Sequence, residues 1–424
     1  LLGGRDAFIA KLKPDGTLAW AKNAGGTADD AGRDVQVAAD GSLRVVGIFE
    51  GTGLFGAGEP GETQLQAKGK PDMFVAKLAD DGTLVWVTRA GAATAGGGTF
   101  GTMSARVAPD ASLRVLGSFS GTVSFGPGEA NETSLASVAP AGDMFLASYT
   151  PDGTLDWVQR IEGTQLGGSS VAGRGVDFRV DQDGTTLVVV TGNIKFAPGQ
   201  ADETVLSGSG VNIAKYDASG ALLDAQTAGG GGRLATAVLA DDGSLYVGGL
   251  FNATITFGSG QAIETTLMAS AFPDSAEMFL AKLAPSGELA WAKQATIGQK
   301  GALNGLGVMP DGSFRLLAQY FLQAVLGPGE LQAVKLTMGS CLIANYDADG
   351  SVISGKDVSR WHSASNLPPA PPFTRAFALS AKDGSMRVVG YAGTTDPITL
   401  GEGEPGATVI SGASSWMAKY DTCP

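Results

Sequence analysis

DAFIAKLKPDGTLAW (residues 6–20) and DMFVAKLADDGTLVW (residues 72–86) are nearly one sentence written twice. In each, apolar residues alternate with polar ones at a period of two on both sides of an Asp-Gly pair. That is the pattern of a β-hairpin with a tight turn. The first half recurs as FLASY, NIAKY, FLAKL, LIANY and WMAKY. The alanines at its centre are Ala10, Ala76, Ala147, Ala214, Ala281, Ala344 and Ala418, spaced 63 to 74 residues apart. Such a period is too long for ankyrin, tetratricopeptide or leucine-rich units and fits a repeat of about four strands with one enlarged loop.

A second hairpin follows each first one. It reads DVQVAADGSLRVVGIF at 34–49, with counterparts at 104–119, 235–251 and 306–321. A loop closes the unit: FGAGEPGETQL at 55–65, echoed at 125–135 and 257–267. Its Phe is expected to plug an apolar gap, and its glycines to turn the chain. No capped amphipathic helix is visible. The expected fold is therefore all-β. A four-stranded antiparallel sheet with two apolar faces needs a neighbour on each side, which points to a β-propeller. The repeat units run over 6–71, 72–142, 143–210, 211–276, 277–339 and 340–414, with a partial unit at 415–424, all in one domain of 1–424. Second hairpins number six, near Val35, Ala105, Phe178, Val238, Val308 and Leu379. Six blades are expected, closed by the hairpin at 378–391 pairing with the N-terminal hairpin at 7–22. Residues 416–421 are then a surplus strand, available inside the chain or to another molecule in a strand-exchanged oligomer. Seven blades follow if a hairpin ahead of Leu1 has been lost.

The combination D-x-F-x-A-K, D-G-T-L-x-W, D-G-S-L-R-V-V-G and G-T-x-x-F-G-x-G-E-x-x-E-T resembles the bacterial SBBP-type β-propeller repeats over essentially the whole chain. The resemblance implies a secreted or outer-surface protein of the delta-proteobacterial, especially myxobacterial, type. A weaker likeness joins the F-x-A-K…W half to quinoprotein-type propeller repeats, which include quinone-dependent dehydrogenases as well as scaffolds. Units four to six depart from the pattern: Asp224 stands where Trp is expected, and the sixth unit carries an insert, WHSASNLPPAPPFTR, at 361–375.

Composition narrows the function. The 424 residues are 43% hydrophobic with 64 glycines, enough apolar material for a large core with many turns. A net charge of −13 and a pI near 4.6 disfavour nucleic acid and anionic lipid as partners. No apolar run approaches the roughly 20 residues of a membrane-spanning helix. The single His, His362, leaves no catalytic triad or imidazole zinc site.

Three groups remain as sites. Trp361, His362 and Asn366 combine a flat ring with polar groups, as a carbohydrate or peptide site does. Glu59, Glu129, Glu330 and Glu404 recur in the loops and would form an acidic ring able to hold Ca²⁺ if the loops share one face. Cys341 and Cys423 could form one disulfide. Trp20, Trp86, Trp157 and Trp291 follow the repeat and are read as packing between blades. The expected function is a non-catalytic extracellular or cell-surface scaffold that binds a protein or carbohydrate. The alternatives are a propeller enzyme acting on a polysaccharide or with a quinone, and a calcium-dependent adhesin.

Overall fold

The structure is a computed structural model. It describes residues 4–13, 17–69, 71–92, 94, 97–139, 142–163, 177–208, 210–240, 242–269, 275–299, 301–320, 323–337, 341–361, 377–380, 386–392, 398–400, 408–410 and 414–420, with side chains up to residue 357 except at 177, 233, 235, 239, 275, 276 and 299. The chain is all-β and antiparallel, with no helix among the described residues. It divides into two compact units. One holds Leu1–Gly173, Phe178–Ser207 and Asn212–Gln226; the other holds Arg174–Asp177, Gly208–Val211 and Thr227–Pro424.

In the first unit, the strands Ala31–Val37, Leu43–Phe49, Asp72–Leu78 and Leu84–Ala92 pair in that order. The sheet thus joins the second hairpin of one sequence repeat to the first hairpin of the next, so repeat and sheet are out of phase by one hairpin. The next sheet repeats the order with Gly98–Val107, Leu113–Phe125, Asp143–Tyr149 and Leu155–Gly163. Leu113–Phe125 serves two sheets. Residues 113–119 pair with Asp143–Tyr149, while Val123 and Ser124 pair back onto Leu84–Ala92. The bend between them falls at Gly121, whose φ of 73° no β-branched residue would adopt. The N-terminal set has the order Ala7–Leu12, Leu18–Gly26, Thr52–Phe55, Thr63–Gln66.

The core lies between successive sheets. One apolar cluster joins Ala7, Ala24 and Phe55 to Val45, Phe74 and Leu84; another joins Val75 and Ala90 to Phe125, Phe145 and Tyr149. Register is pinned by a glycine under each phenylalanine. Gly47 lies opposite Phe74, Gly117 opposite Phe145 and Gly249 opposite Phe279. A Cβ on Gly47 would come within 2.4 Å of the Phe74 ring.

The second unit uses the same plan. Residues 232–239 pair with Leu245–Phe257, then come Ser275–Leu283, Leu289–Gln299, Gln323–Leu326 and Val334–Thr337. A further sheet runs Ala302–Val308, Phe314–Gln319, Cys341–Tyr346, Val352–Trp361, Ile398–Leu400, Thr408–Ile410. The last has three strands, Phe377–Ser380, Met386–Ala392 and Ser414–Tyr420.

That last sheet corrects the expected closure. Residues 416–420 are not surplus: Ser414–Tyr420 pairs with Met386–Ala392, Gly390 opposite Trp416, in the register seen elsewhere for F-x-A-K strands. It occupies the position that sequence reading gave to the N-terminal hairpin. The repeat's own Gly-over-aromatic register favours it, since the local strand satisfies that pairing with the shortest loop. No sheet closes on itself among the described residues.

The hairpin turns are longer than a two-residue type. Gly82 N–H donates to Ala79 O at 2.9 Å and Ala79 N–H to Thr83 O at 2.8 Å, a type I turn followed by a left-handed glycine. One turn breaks this rule, with Ala111 at φ 65° where its sisters have glycine. Ala111→Gly is expected to stabilise the chain by about 1 kcal/mol, less the entropy glycine gives the unfolded chain. An urea midpoint at or below that of the parent would count against the strain.

Candidate functional site

The enlarged loop is built around its phenylalanine and its first glutamate. Phe55 is buried with its ring centroid 5.0 Å from that of Phe74, and Phe125 stands 4.9 Å from Phe145. With the ring inserted, the loop glutamate reaches the first residue of the neighbouring strand. Glu59 Oε2 accepts the Leu84 N–H at 2.6 Å, Glu129 Oε2 the Leu155 N–H at 2.6 Å, and Glu330 Oε2 the Val352 N–H at 2.9 Å. In the other two loops the same clamp is made by Asp202 on Leu222 N–H and by Gln261 on Leu289 N–H. The second loop glutamate closes its own turn: Glu62, Glu132, Glu203 and Glu264 accept the N–H groups of Gly58, Gly128, Gly199 and Gly260. The glutamates predicted to form an acidic ring are therefore bonded to backbone. Lys22 at 2.5 Å and Lys293 at 3.4 Å add ion pairs to Glu59 and Glu330. Glu404 lies outside the described residues. No group of three His, Cys, Asp or Glu side chains able to hold a metal occurs among those described.

These bonds set the acid response. Burial raises the Glu59 carboxyl, but the Leu84 N–H and Lys22 outweigh it and the net direction is below the ordinary range. The Gly128 N–H and the Ser124 hydroxyl lower Glu132, and the Gly199 N–H lowers Glu203. A carboxyl lowered in the native state stabilises fully above its unfolded pKa and loses that stabilisation as pH falls through the native one. The thermal midpoint is expected to hold near neutrality and to drop once pH passes below about 4. A flat profile from pH 7 to 3 would contradict the clamp.

Each repeat tryptophan is a latch on the next hairpin turn. Trp20 Nε1 donates to Asp80 O, Trp86 to Pro151 O, Trp157 to Ala218 O and Trp291 to Ala348 O, at 2.9 to 3.1 Å. The ring lies under the turn glycine, so a Cβ on Gly220 would sit 2.5 Å from Trp157. Arg114 stacks 5.0 Å over Trp157 and donates to the same Ala218 carbonyl at 3.2 Å. Packing between sheets, the reading given to these indoles from sequence, is what they do.

Asp-Gly turns are also accounted for. Asp183 and Asp347 accept the N–H groups of Thr185 and Asp349 two residues on. Of the insert, the Trp361 backbone ends the strand Val352–Trp361 and pairs with Ile398. Its side chain, like His362 and Asn366, lies outside what is described. Cys341 is buried, and burial first, then Asp357, pushes its thiol up to about 12. Its expected partner Cys423 is outside the described residues.

No family model and no curated protein matches the chain. Solved structures similar to it include a puromycin hydrolase (13% identity, TM-score 0.30, 93% of this chain and 54% of that one). A DUF4221 family member from Bacteroides vulgatus matches at 10% identity and TM-score 0.33, over 73% of this chain and 80% of that one. A protein of unknown function from Dyadobacter fermentans matches at 11% and 0.35, over 92% and 94%. The chain spans about half the length of the hydrolase it matches. Likeness at this level assigns neither an activity nor a ligand.

Sequence reading missed one group, the acid two residues ahead of the Phe in the F-x-A-K strands that keep Phe. Asp72, Asp143 and Glu277 are fully buried. Asp72 accepts the N–H groups of Lys68, Gly69 and Ala92 and pairs with Arg89 at 2.5 Å. The signal was present as the repeated D-x-F, with Arg89 and Arg160 at matching places downstream. Three tyrosines form a second missed group. Tyr149, Tyr216 and Tyr346 end the same strand in three repeats, and their hydroxyls are buried without a hydrogen-bond partner. Tyr149→Phe removes only that hydroxyl, so stability is expected to stay level or rise by about 1 kcal/mol. A loss above that in urea melts would show the hydroxyl to be bonded.

Proposed function

We propose that this chain is a β-propeller of the SBBP type that serves as a non-catalytic binding or structural scaffold outside the cell or on its outer surface. One observation carries the reading. The repeated side chains with the chemistry to hold a ligand, Glu59, Glu129, Glu330 and the four indoles, each serve a backbone group of a neighbouring strand or turn. Repetition here maintains contact between sheets. Sheets that bury both faces against neighbours leave two unsatisfied ends in a row and none in a ring, which favours the propeller. Specific recognition then belongs to the stretch that does not repeat, residues 361–375, with a protein or carbohydrate as partner.

Negative-stain images of the purified chain test the architecture: a ring with a central hole is expected, and a line of modules overturns it. Thermal midpoints in excess EDTA and in excess calcium test the role. Equal midpoints are expected of a scaffold. A calcium-dependent rise would replace it with the adhesin, and a co-purifying visible chromophore with the oxidoreductase.

A further inference from the structure

A cavity of about 190 Å³ lies between the N-terminal set of strands and the first complete sheet. Phe55, Phe74 and Leu78 form its apolar wall, and Lys22, Asn23 and Glu59 its polar end. Its position in the repeat explains it. Leu78 ends an F-x-A-K strand at the place taken by Tyr149, Tyr216 and Tyr346 in other repeats. In those repeats the phenol is buried in the strand pair that the clamp carboxylate holds: Tyr149 lies opposite Leu155, whose N–H Glu129 accepts, and Tyr346 opposite Val352, whose N–H Glu330 accepts. At the first interface the clamp remains, with Glu59 on Leu84 N–H, but the ring is absent. Leu283 is the other buried leucine at this place, and there the clamp is the neutral Gln261. Leucine, a clamp carboxylate and a lysine beside it meet only at the Leu78 interface among those described.

We propose that this cavity binds a small free phenol, whose ring takes the seat that tyrosine fills elsewhere in the chain and whose hydroxyl meets Lys22, Asn23 or Glu59. The size suits it, since an apolar cavity of about 150 Å³ is enough to take benzene. The polar end adds a preference that a purely apolar cavity lacks: a ring without a hydroxyl leaves those groups with no new partner.

The probe is p-cresol, the tyrosine side chain as a free molecule, titrated into methyl-labelled protein. Saturable shifts of the Val45 and Leu84 methyl signals, which line the cavity in the parent and in both variants, are expected, with toluene binding at least several-fold more weakly. Leu78→Tyr, which supplies the ring covalently, is expected to abolish the response. A second arm, Leu78→Phe, covers failure of that variant to fold. No saturable shift in the parent protein overturns the proposal, as does cresol binding unchanged in either folded variant. Equal binding of toluene overturns the assigned polar contact and with it the phenol class. The scaffold reading stands or falls separately, because none of these outcomes bears on it.

Discussion

Phe145→Ala is expected to cost about 3–5 kcal/mol, while Phe8→Ala costs next to nothing, although the two occupy the same place in the repeat. Phe145 is 0% exposed, with ring centroids 5.5 Å from Phe100, 6.4 Å from Phe119 and 4.9 Å from Phe125. Truncation would remove the centre of a four-ring cluster and leave a cavity that strands fixed on both sides cannot collapse into. Phe8 is 78% exposed, because Ala7–Leu12 ends its sheet and no strand pairs with its outer side among the described residues. Urea unfolding of the two variants, followed by the same probe, is the measurement. Similar losses would mean that Phe8 is covered in solution and that Ala7–Leu12 is not an edge.

This contrast also marks what the sequence could and could not tell. Period-two alternation and Asp-Gly turns are local signals, so the hairpins, their order and the all-β class could be read directly. The plug made by Phe55 and the packing made by Trp86 could be read too, because each is repeated with its surroundings. The partner of Glu59 could not. The Leu84 N–H is 25 residues away and leaves no mark on side-chain type, since every residue but proline carries one. Hence the repeated carboxylate suggested a metal ligand, and its bond to backbone went unread. The closure failed for a different reason. Counting motifs treats a strand as belonging to one sheet, whereas Leu113–Phe125 belongs to two, and Ser414–Tyr420 takes a place that the count had given away. Leu78 was legible as a departure from tyrosine, but its meaning needed the cavity beside it.

Asp72→Ala is expected to cost about 3–5 kcal/mol, the scale for removing one partner of a buried pair. The carboxylate is 0% exposed and accepts from Lys68 N–H and Gly69 N–H at 2.8 Å each and from Ala92 N–H at 3.1 Å. It is also the partner of the half-buried Arg89. Alanine strands three backbone donors and a guanidinium with no water to replace the acceptor. Asp72→Asn retains one oxygen but turns an amide NH₂ toward donors, so it recovers only part of the loss. Asp80→Ala is the control: it breaks an exposed pair with Lys11 and should cost well under 1 kcal/mol. The loss at Asp72 also has an address. The carboxylate ties residues 68 and 69 to the strand Leu84–Ala92, so amide exchange at Lys68 and Gly69 should speed up in Asp72→Asn before the rest of the sheet opens. Equal unfolding midpoints for Asp72→Ala and Asp80→Ala, or unchanged exchange at those two amides, would mean that the buried acid is a passenger of the repeat. The opposite result would explain why an acid stands two residues ahead of the Phe in the Asp72, Asp143 and Glu277 strands alike: it anchors the loop that delivers the chain to the next sheet.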